Sequence, residues 1–535
     1  MSTSIPDVFV VGSGPTGLVT ALTLAQNGVT VRIIEKLPHF PFGQRGSGVM
    51  PRTLEVYHFL GILDDVKRRG ILMPDLLQYE NGEPDERTAR LLGQDAACEI
   101  LREHLKKHGV EVELSTELCY LEQTDDGVTA TIKNTRSGKE TLKAVHVKYL
   151  VGADGARGVT RKLLDLSLLG ETEEKFRILI GEVEAFGIND KNWHKFGGMP
   201  FDSAMLCPTD RTAKEGIFSL TCTGPELDFK RGAEDHDYLR QFALSVAQLP
   251  ELKIGEIETI VDYRPNIRIV STFQVGRVFV AGGCVLINSL FTKFNLAWKL
   301  ALASKGLATS SLLETYSTER MPVITEMLQR TTAIVSKLTS DDEGMKTRIK
   351  TFPRPVHLKQ LGVNYRWSSI VIDDQQQDFR PNGHTGVAEP ASAYIVEEGG
   401  RLHGGDRAHD ATGLIDIKTK DITRLFNVFG TDHHTILLFC DSAVMTPYSS
   451  ILQLLQRYRK GLIQSAVICK DPSTVTALVG SADFVLHDRD GHAYAAYDPN
   501  LTSCSVAIVR PDGVVGALVR GLDGVERYFS RILAA

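Results

Sequence analysis

Two periods of apolar residues share this chain, one of about two residues and one of about three and a half, and their order outlines the elements. Val8 to Val11 is an unbroken apolar run of the buried-strand kind. Beyond a glycine-rich turn, Leu18, Leu22 and Ala25 recur at helical spacing until Gly28 stops the helix, and Val31 to Ile34 forms a second strand that ends at Glu35. A helix is predicted around Thr53 to Leu60, whereas residues 64 to 93 show no clean period and read as irregular. Gln94 opens a helix that puts Ile100, Leu101, His104, Leu105 and His108 on related faces and ends at Gly109.

Period-two alternation then takes over. Val110 to Leu114, Cys119 to Gln123, Val128 to Ile132 and Leu142 to Val147, separated by turns at Asp125-Asp126-Gly127 and Ser137-Gly138, predict a run of antiparallel strands. The run from Tyr149 reads as a strand ending in Asp154-Gly155, followed by a short basic helix. From Ile178 to Ile269 strands and loops mix, and the stretch reads as a sheet-rich unit inserted between pieces of the first. Gly276 to Gly282 holds another buried strand, Phe294 begins a helix, and Ser311-Leu-Leu-Glu314 reads as the cap of a further helix running through Pro322 toward Leu338. Residues 340 to 360 are charged and proline-bearing, as in a linker. The remainder alternates as α/β: a strand at Thr435 to Cys440, a helix around Leu452 to Tyr458, a strand at Ser465 to Cys469. Its order is thioredoxin-like, but Cys440-Asp-Ser-Ala lacks a second cysteine, which speaks against redox chemistry there.

The first of these elements carries the chemistry. Gly12, Gly14 and Gly17 fill a G-x-G-x-x-G between strand and helix, and Glu35 closes the following strand, so the unit is a dinucleotide-binding βαβ. One glycine makes the turn, one admits backbone N–H groups to a pyrophosphate, and one lets the helix lie close to the strand. A carboxylate at position 35 suits the ribose hydroxyls. Arg45, in the loop that follows, is placed to reach the same cofactor. His104 and His108 stand i, i+4, but no third ligand is near and no metal is expected.

Composition narrows the class without deciding it. A length of 535 residues implies two to four domains, and 42% hydrophobic with 24% charged residues is ordinary for a globular protein. A net charge of -6 gives no reason to expect nucleic acid or an acidic membrane as partner. The longest apolar stretch, Val278 to Phe291, is too short to span a bilayer, and the first strand starts too early for a cleavable signal. Eight scattered cysteines without a C-x-x-C pair fit a reducing, cytoplasmic setting.

Together these stretches resemble the phenol-hydroxylase-like branch of the FAD-dependent aromatic monooxygenases, in the form common in fungal secondary metabolism. The residues that carry the resemblance are Gly12-Ser-Gly-Pro-Thr-Gly17, Arg45 with Pro51-Arg52-Thr-Leu-Glu55, Leu92-Gly-Gln94, Ile100 to Leu105, Gly152-Ala-Asp154-Gly155-Ala-Arg157, Gly276 to Gly282, Asn295-Leu-Ala-Trp-Lys-Leu300 and Gly405-Asp-Arg-Ala408. The resemblance implies a glutathione-reductase-type FAD domain at 1–180 and 270–345, an interleaved sheet-rich substrate domain at 181–269, a linker at 346–365 and a thioredoxin-like domain at 366–535 that forms a homodimer. It further implies that Gly12 to Gly17 and Glu35 hold the ADP half of FAD, that Arg45 and Gln94 hold the pyrophosphate and ribityl region, and that Asp154 and Arg157 belong to a motif shared between FAD and NADPH. The implied reaction uses NADPH and O₂ to oxygenate an electron-rich aromatic or polyketide-like small molecule.

One departure leaves the outcome open. Where the family continues Gly-Asp-Ala-Ala-His and then Gly-Gly-Gln-Gly-Leu-Asn, this chain has Gly282-Gly-Cys-Val-Leu-Ile-Asn-Ser-Leu-Phe-Thr-Lys-Phe294, shorter and without the carboxylate. Gly158 also stands where a serine is usual. Three readings follow: a working monooxygenase, a member that has lost FAD and acts as a redox-neutral isomerase or cyclase, or an inactive homologue or product of altered splicing. No general base is assignable; His39, His194 and Tyr263 are candidates for the pocket.

Overall fold

The computed structural model describes residues 6–43, 48–73, 79–80, 83–84, 90–172, 177–197, 201–264, 266–282, 291–338, 359–375, 392–394, 401–440, 445–497 and 505–534. Along the chain, the elements that position the site begin with β1 (Val8–Val11), α1 (Pro15–Gln26), β2 (Val31–Ile34), α2 (Gln94–Lys107), β3 (Val112–Glu113), β4 (Tyr149–Gly152) and α3 (Val159–Leu163). They continue with β5 (Ile178–Phe186), β6 (Ser203–Pro208), β7 (Ile217–Thr223), β8 (Lys253–Tyr263), β9 (Val278–Val280), α4 (Phe291–Ser304) and α5 (Thr315–Leu338).

The central sheet runs Gln274–Val275, β9, β4, β1, β2, β3, and all its neighbours are parallel except the Gln274–Val275 hairpin edge. Both faces of β1 are covered, which is why it reads as unbroken apolar sequence. Val8 and Val10 join Leu18, Val19 and Leu22 of α1, Ile100 and Leu101 of α2 and Leu296 and Leu300 of α4 in one core. Phe9 and Val11 face the other way, onto a three-stranded antiparallel sheet through Leu118, Val128, Ile132 and Val147. A second, five-stranded antiparallel sheet runs His194–Gly197, β6, β7, β5, β8. Helices Phe229–Glu234 and His236–Ala247 cover one of its faces, around Leu179, Val183, Phe218, Leu220 and Cys222. The C-terminal part is an eight-stranded mixed sheet whose central strands, His434–Phe439, Ile463–Cys469 and Phe484–His487, are parallel. Cys440 and Cys469 are both buried there.

Three sequence expectations are corrected. Val110 to Leu114 does not join an antiparallel run; its strand, β3, pairs parallel with β2, because α2 returns the chain to the edge of the central sheet. The stretch 64–93 is not wholly irregular, since it holds helix Leu63–Arg69 and strands Ile71–Leu72 and Arg90–Leu91. That helix buries only Val66, and two-residue strands carry no period, so neither left a pattern to read. Ser311 to Glu314 forms turns ahead of α5 instead of its first turn; the helix starts at Thr315, whose hydroxyl donates to Leu312 O. The linker expected over 346–365 lies mostly outside the described residues.

A buried ion cluster joins the parts. Asn295 and Lys299 stand one turn apart on α4, Glu319 lies on α5, and Arg510 and Asp512 come from the turn after the C-terminal strand Ser505–Val509; all five are buried. Lys299 Nζ donates to Glu319 Oε2 at 2.7 Å and to Asn295 Oδ1 at 3.1 Å. Arg510 donates to both Glu319 oxygens, at 2.8 and 3.1 Å, and to both Asp512 oxygens, at 3.0 and 2.5 Å. Ser368 Oγ completes the shell of Glu319 at 2.6 Å. Two cations face two carboxylates, so the cluster is neutral and its polar atoms are met, the condition under which buried charge is tolerated. Arg52, also buried, extends it by donating to Asp512 O at 2.9 Å while pairing with Glu55 at 2.5 Å, and Glu55 in turn takes Arg407 at 2.9 Å.

Burial pushes the Glu319 carboxyl up, but Arg510 and Lys299 overcome it and hold it below the usual carboxylate range. Burial brings the Lys299 ammonium down to about 8, against the pull of Glu319, so it stays charged at neutral pH. Glu319→Gln is expected to lower stability at pH 7 by about 3–5 kcal/mol in urea denaturation, because it leaves two buried cations facing one carboxylate. The sign with pH follows from the depressed carboxyl: its contribution is complete above the ordinary value of 4.5 and is lost as pH falls from there toward the depressed one. The variant should therefore show a shallower loss of stability than the parent below pH 4.5.

Candidate functional site

The glycine loop between β1 and α1 is shaped by contacts no side chain could share. Gly12 has φ +101°, and a Cβ there would stand 2.5 Å from Ala153 O. A Cβ on Gly17 would stand 1.9 Å from Gly12 O, so only glycine lets α1 lie this close to its strand. Gly14 differs. It is the N-cap of α1, no side chain caps it, Pro15 follows in the first turn, and a Cβ would meet nothing within 4 Å. The open space therefore lies at the positive end of a 12-residue helix whose first-turn amides lack helical partners. Glu35 stands beside it at the end of β2. Its Oε2 accepts from Ser13 N and Ser13 Oγ, both at 3.0 Å, and its Oε1 accepts from Leu37 N at 3.2 Å. A carboxylate offers about four acceptor directions, so this one is oriented and still has capacity for a hydroxyl. The strand end Gly282, φ +78°, reaches the same helix start, where a Cβ would meet Thr16 Oγ1 at 2.3 Å.

The structure thus brings Gly12, Gly14, Gly17 and Glu35 together. The other expected residues stand differently. Asp154 follows β4, but its Oδ2 accepts from Thr160 N at 2.9 Å and Thr160 Oγ1 at 3.1 Å, so it caps α3. Its carboxylate fills the space a side chain at 158 would need: a Cβ on Gly158 would lie 2.2 Å from Asp154 Cγ. Arg157 is exposed on the same turn, and Gln94 is half-buried at the start of α2. Next to Gln94, Asp95 Oδ2 accepts from Gly43 N at 3.1 Å, and Gly93 N donates to Asp210 Oδ1 at 3.1 Å, which ties this loop to the second sheet. Arg45 and residues 283–290, where the shortened motif falls, lie outside the described residues.

The second sheet meets the loop that follows β2. Its face opposite the helices carries Ile178, Ile180 and Glu182 on β5 and, in register, Tyr263, Val261 and Thr259 on β8. Thr221 lies opposite Ile180 on β7, and Met205 lies opposite Thr221 on β6. The direction of the face is given by Gly43, whose Cβ position is 3.1 Å from Glu182 Oε2. Glu182 is buried, accepts from Thr259 Oγ1 at 3.3 Å and pairs with Arg211 at 3.4 Å. Hydrogen bonds donated to Glu258 and Glu215 raise the Arg211 guanidinium above its usual value. A small cluster of Met73, Leu91 and Cys207, with Met50, Ile71 and Trp193 beside it, packs where the strand pair Gly48–Val49 and Arg90–Leu91 meets β6. Apart from Tyr263, none of these residues is a pocket candidate in the sequence, because an alternating face reads the same whether solvent or a ligand covers it. Of the three pocket candidates only Tyr263 lies on this face. His39 is exposed, and His194 lies opposite Leu206, whose side is covered by helices, with Nε2 within 2.8 Å of Asn189 O. His104 is paired with Asp65, Nε2 to Oδ2 at 2.6 Å.

Comparison with known proteins agrees with this geometry. Residues 6–331 match the family described as FAD binding domain. A flavin-dependent monooxygenase of Mycobacteroides abscessus is 28% identical, covering 98% of this chain and 100% of the relative. Aklavinone 12-hydroxylase RdmE of Streptomyces purpurascens is 27% identical over 76% of this chain and 83% of its own. Among solved structures, the flavin-dependent monooxygenase PieE in complex with FAD and substrate superposes with a TM-score of 0.76 at 20% identity, covering 99% of this chain and 100% of that one. Aklavinone-11 hydroxylase with FAD and aklavinone gives 0.73 at 21% identity, covering 99% of each. These likenesses show the fold: a glutathione-reductase-type nucleotide-binding part, an interleaved sheet-rich part and a thioredoxin-like C-terminal part.

The glycines separate by what they face. Gly17→Ala is expected to destabilise the chain by at least about 1–3 kcal/mol, since the overlap is with backbone. Gly14→Ala should stay within about 1 kcal/mol of the parent yet raise the dissociation constant for ADP about tenfold, by standing between the helix start and a phosphate. Thermal melts and calorimetric ADP titrations of the two variants check both expectations.

Proposed function

This chain belongs to the FAD binding domain family, and from that premise we propose that it is an FAD-dependent monooxygenase of a planar, electron-rich aromatic or polyketide-like small molecule. The observation that carries the reading is the cradle, in which an uncapped helix start, an open Gly14 and an oriented Glu35 converge. These residues fit the ADP half of the cofactor: the first-turn amides of α1 would hold the pyrophosphate, and Glu35 would accept from the ribose hydroxyls. When bound, FAD supplies the redox chemistry, taking electrons from NADPH and passing one oxygen atom of O₂ to the substrate while the other leaves as water. The overall reaction balances as substrate-H, NADPH, O₂ and H⁺ giving substrate-OH, NADP⁺ and water. The chain's own part is to bind, orient and shield. The mixed face of Ile180, Val261, Thr221 and Met205 suits a flat, uncharged ring system, and the Glu182–Arg211 pair closes its edge without leaving an unpaired charge.

The finer points of the proposal rest on the sequence. Arg45 and Gln94 toward the pyrophosphate and ribityl chain, Asp154 and Arg157 toward the shared cofactor motif, and NADPH as co-substrate are carried over by resemblance. In Asp154 the structure adds a helix-capping duty, so its cofactor role is an indirect one, holding α3 against the loop that touches Gly12. The short Gly282–Phe294 segment lacks the family's carboxylate, so FAD is held more weakly than in relatives that keep it. The C-terminal part serves a homodimer, the setting is the cytoplasm, and the pathway belongs to secondary metabolism of the fungal kind. Among the described residues no helix is long and apolar enough to cross a membrane. Neither the redox-neutral reading nor the inactive one is favoured, because the similar proteins are oxygenases by name.

The test is turnover. With added FAD, the purified chain should oxidise NADPH faster in the presence of an aromatic polyketide such as aklavinone, and mass spectrometry should find a product heavier by one oxygen atom. NADPH oxidation that never responds to any aromatic, or a product isomeric with its substrate, would overturn the proposal. Glu35→Ala should raise the FAD concentration needed for half-maximal rate about tenfold to a hundredfold, the loss of one or two charged hydrogen bonds.

A further inference from the structure

We propose that the Tyr263 hydroxyl is a substrate-positioning donor, hydrogen-bonding an oxygen of the aromatic ring system laid on the open face of the second sheet. The inference rests on the monooxygenase reading for the class of ligand and on four observations for the residue. The first is direction. Tyr263 lies opposite Ile178, and Val261 opposite Ile180, while Asp262, between them, faces the helix-covered side and pairs with Arg177 at 2.6 Å. The Arg177 guanidinium lies over the Phe229 ring of the covering helix, 4.8 Å from its centroid, which marks that side independently. Tyr263 therefore belongs to the same face as Ile180, Glu182, Thr259 and Val261.

The second observation is the state of the hydroxyl: the Tyr263 oxygen is shut away from solvent and has no hydrogen-bond partner among the described residues. Native structures rarely leave such a group unmet, and each exception calls for a ligand, a water or an ion. The third is the company it keeps. Its neighbours in register are apolar or carry single hydroxyls, and Val261 keeps 45% of its surface exposed, an uncovered apolar residue beside a buried unmet donor. That combination fits a flat apolar ligand bearing a phenolic or quinone oxygen at its edge. The fourth is protonation. Burial pushes the Tyr263 hydroxyl above its usual value, so at neutral pH it offers a proton rather than a negative charge.

Tyr263→Phe removes the hydroxyl alone. The probe is alizarin, 1,2-dihydroxyanthraquinone, whose colour reports its own ionisation and whose binding requires no turnover. The full chain with FAD should bind alizarin and lower the pH at which the bound dye ionises, because a donor stabilises the phenolate. The variant should bind it about tenfold more weakly and lose that shift, while its FAD affinity and ligand-free melting temperature stay at or above those of the parent. Equal affinity and equal ionisation in both proteins, no binding of alizarin by the parent, or a fall in FAD affinity in the variant would each overturn the inference. A parent that binds the dye through Tyr263 yet never couples NADPH oxidation to an aromatic would leave this inference standing and remove the monooxygenase reading instead.

Discussion

The buried ion cluster around Glu319 is the constraint on which the rest of the molecule rests. Lys299 and Asn295 fix one face of α4, Glu319 fixes α5, and the Arg510–Asp512 turn brings the C-terminal sheet to both. Such a cluster adds little to stability over a well-packed apolar core, but it has one satisfied geometry and many frustrated ones, so it sets register and orientation. Arg52 carries that orientation to the N-terminal helix Pro51–Phe59 through Asp512 O. Leu296 and Leu300 of α4 share a core with Leu18 and Leu22 of α1, and α1 carries the open helix start. Electrostatics at the junction thus reaches the nucleotide cradle through helix packing.

Within the cradle, backbone does most of the work. Gly12 and Gly17 bring loop and helix within distances that exclude any Cβ, and Glu35 is held by Ser13 before any ligand arrives. Preorganisation of this kind lowers the cost of binding, because the carboxylate need not be immobilised again. The neighbouring sheet supplies a contrasting surface, flat and mostly apolar, joined to the cradle by Asp95 with Gly43 and by Gly93 with Asp210. One surface presents helix amides and a carboxylate, the other a largely apolar sheet.

Much of this was legible in the sequence because its signals are local. The strand, three glycines, helix and terminal acid from Val8 to Glu35 fall within one βαβ unit, and the antiparallel strands from Thr116 to Val147 show their period directly. The illegible parts were non-local. The parallel pairing of β3 depends on where α2 returns the chain, and strands such as Ile71–Leu72 are too short to carry a period. The cluster unites residues separated by 191 positions, Glu319 and Arg510, whose charges read as ordinary surface until the fold buries them. Asp154 reads as part of the cofactor motif, and only the fold turns its carboxylate onto Thr160 and into the space above Gly158. Glu182, Thr259 and Thr221 on the sheet face opposite the helices carry no spacing that distinguishes a ligand surface from a solvated one.

On the proposed reading, this chain grips its cofactor by the adenylate end. Calorimetric titration of the same purified, flavin-stripped protein with FAD, ADP and FMN tests it most directly. The account predicts that FAD and ADP bind with affinities within about a hundredfold of each other and that FMN, which lacks the adenylate half, binds far more weakly than either. FMN binding as tightly as FAD, with ADP not binding at all, would contradict it.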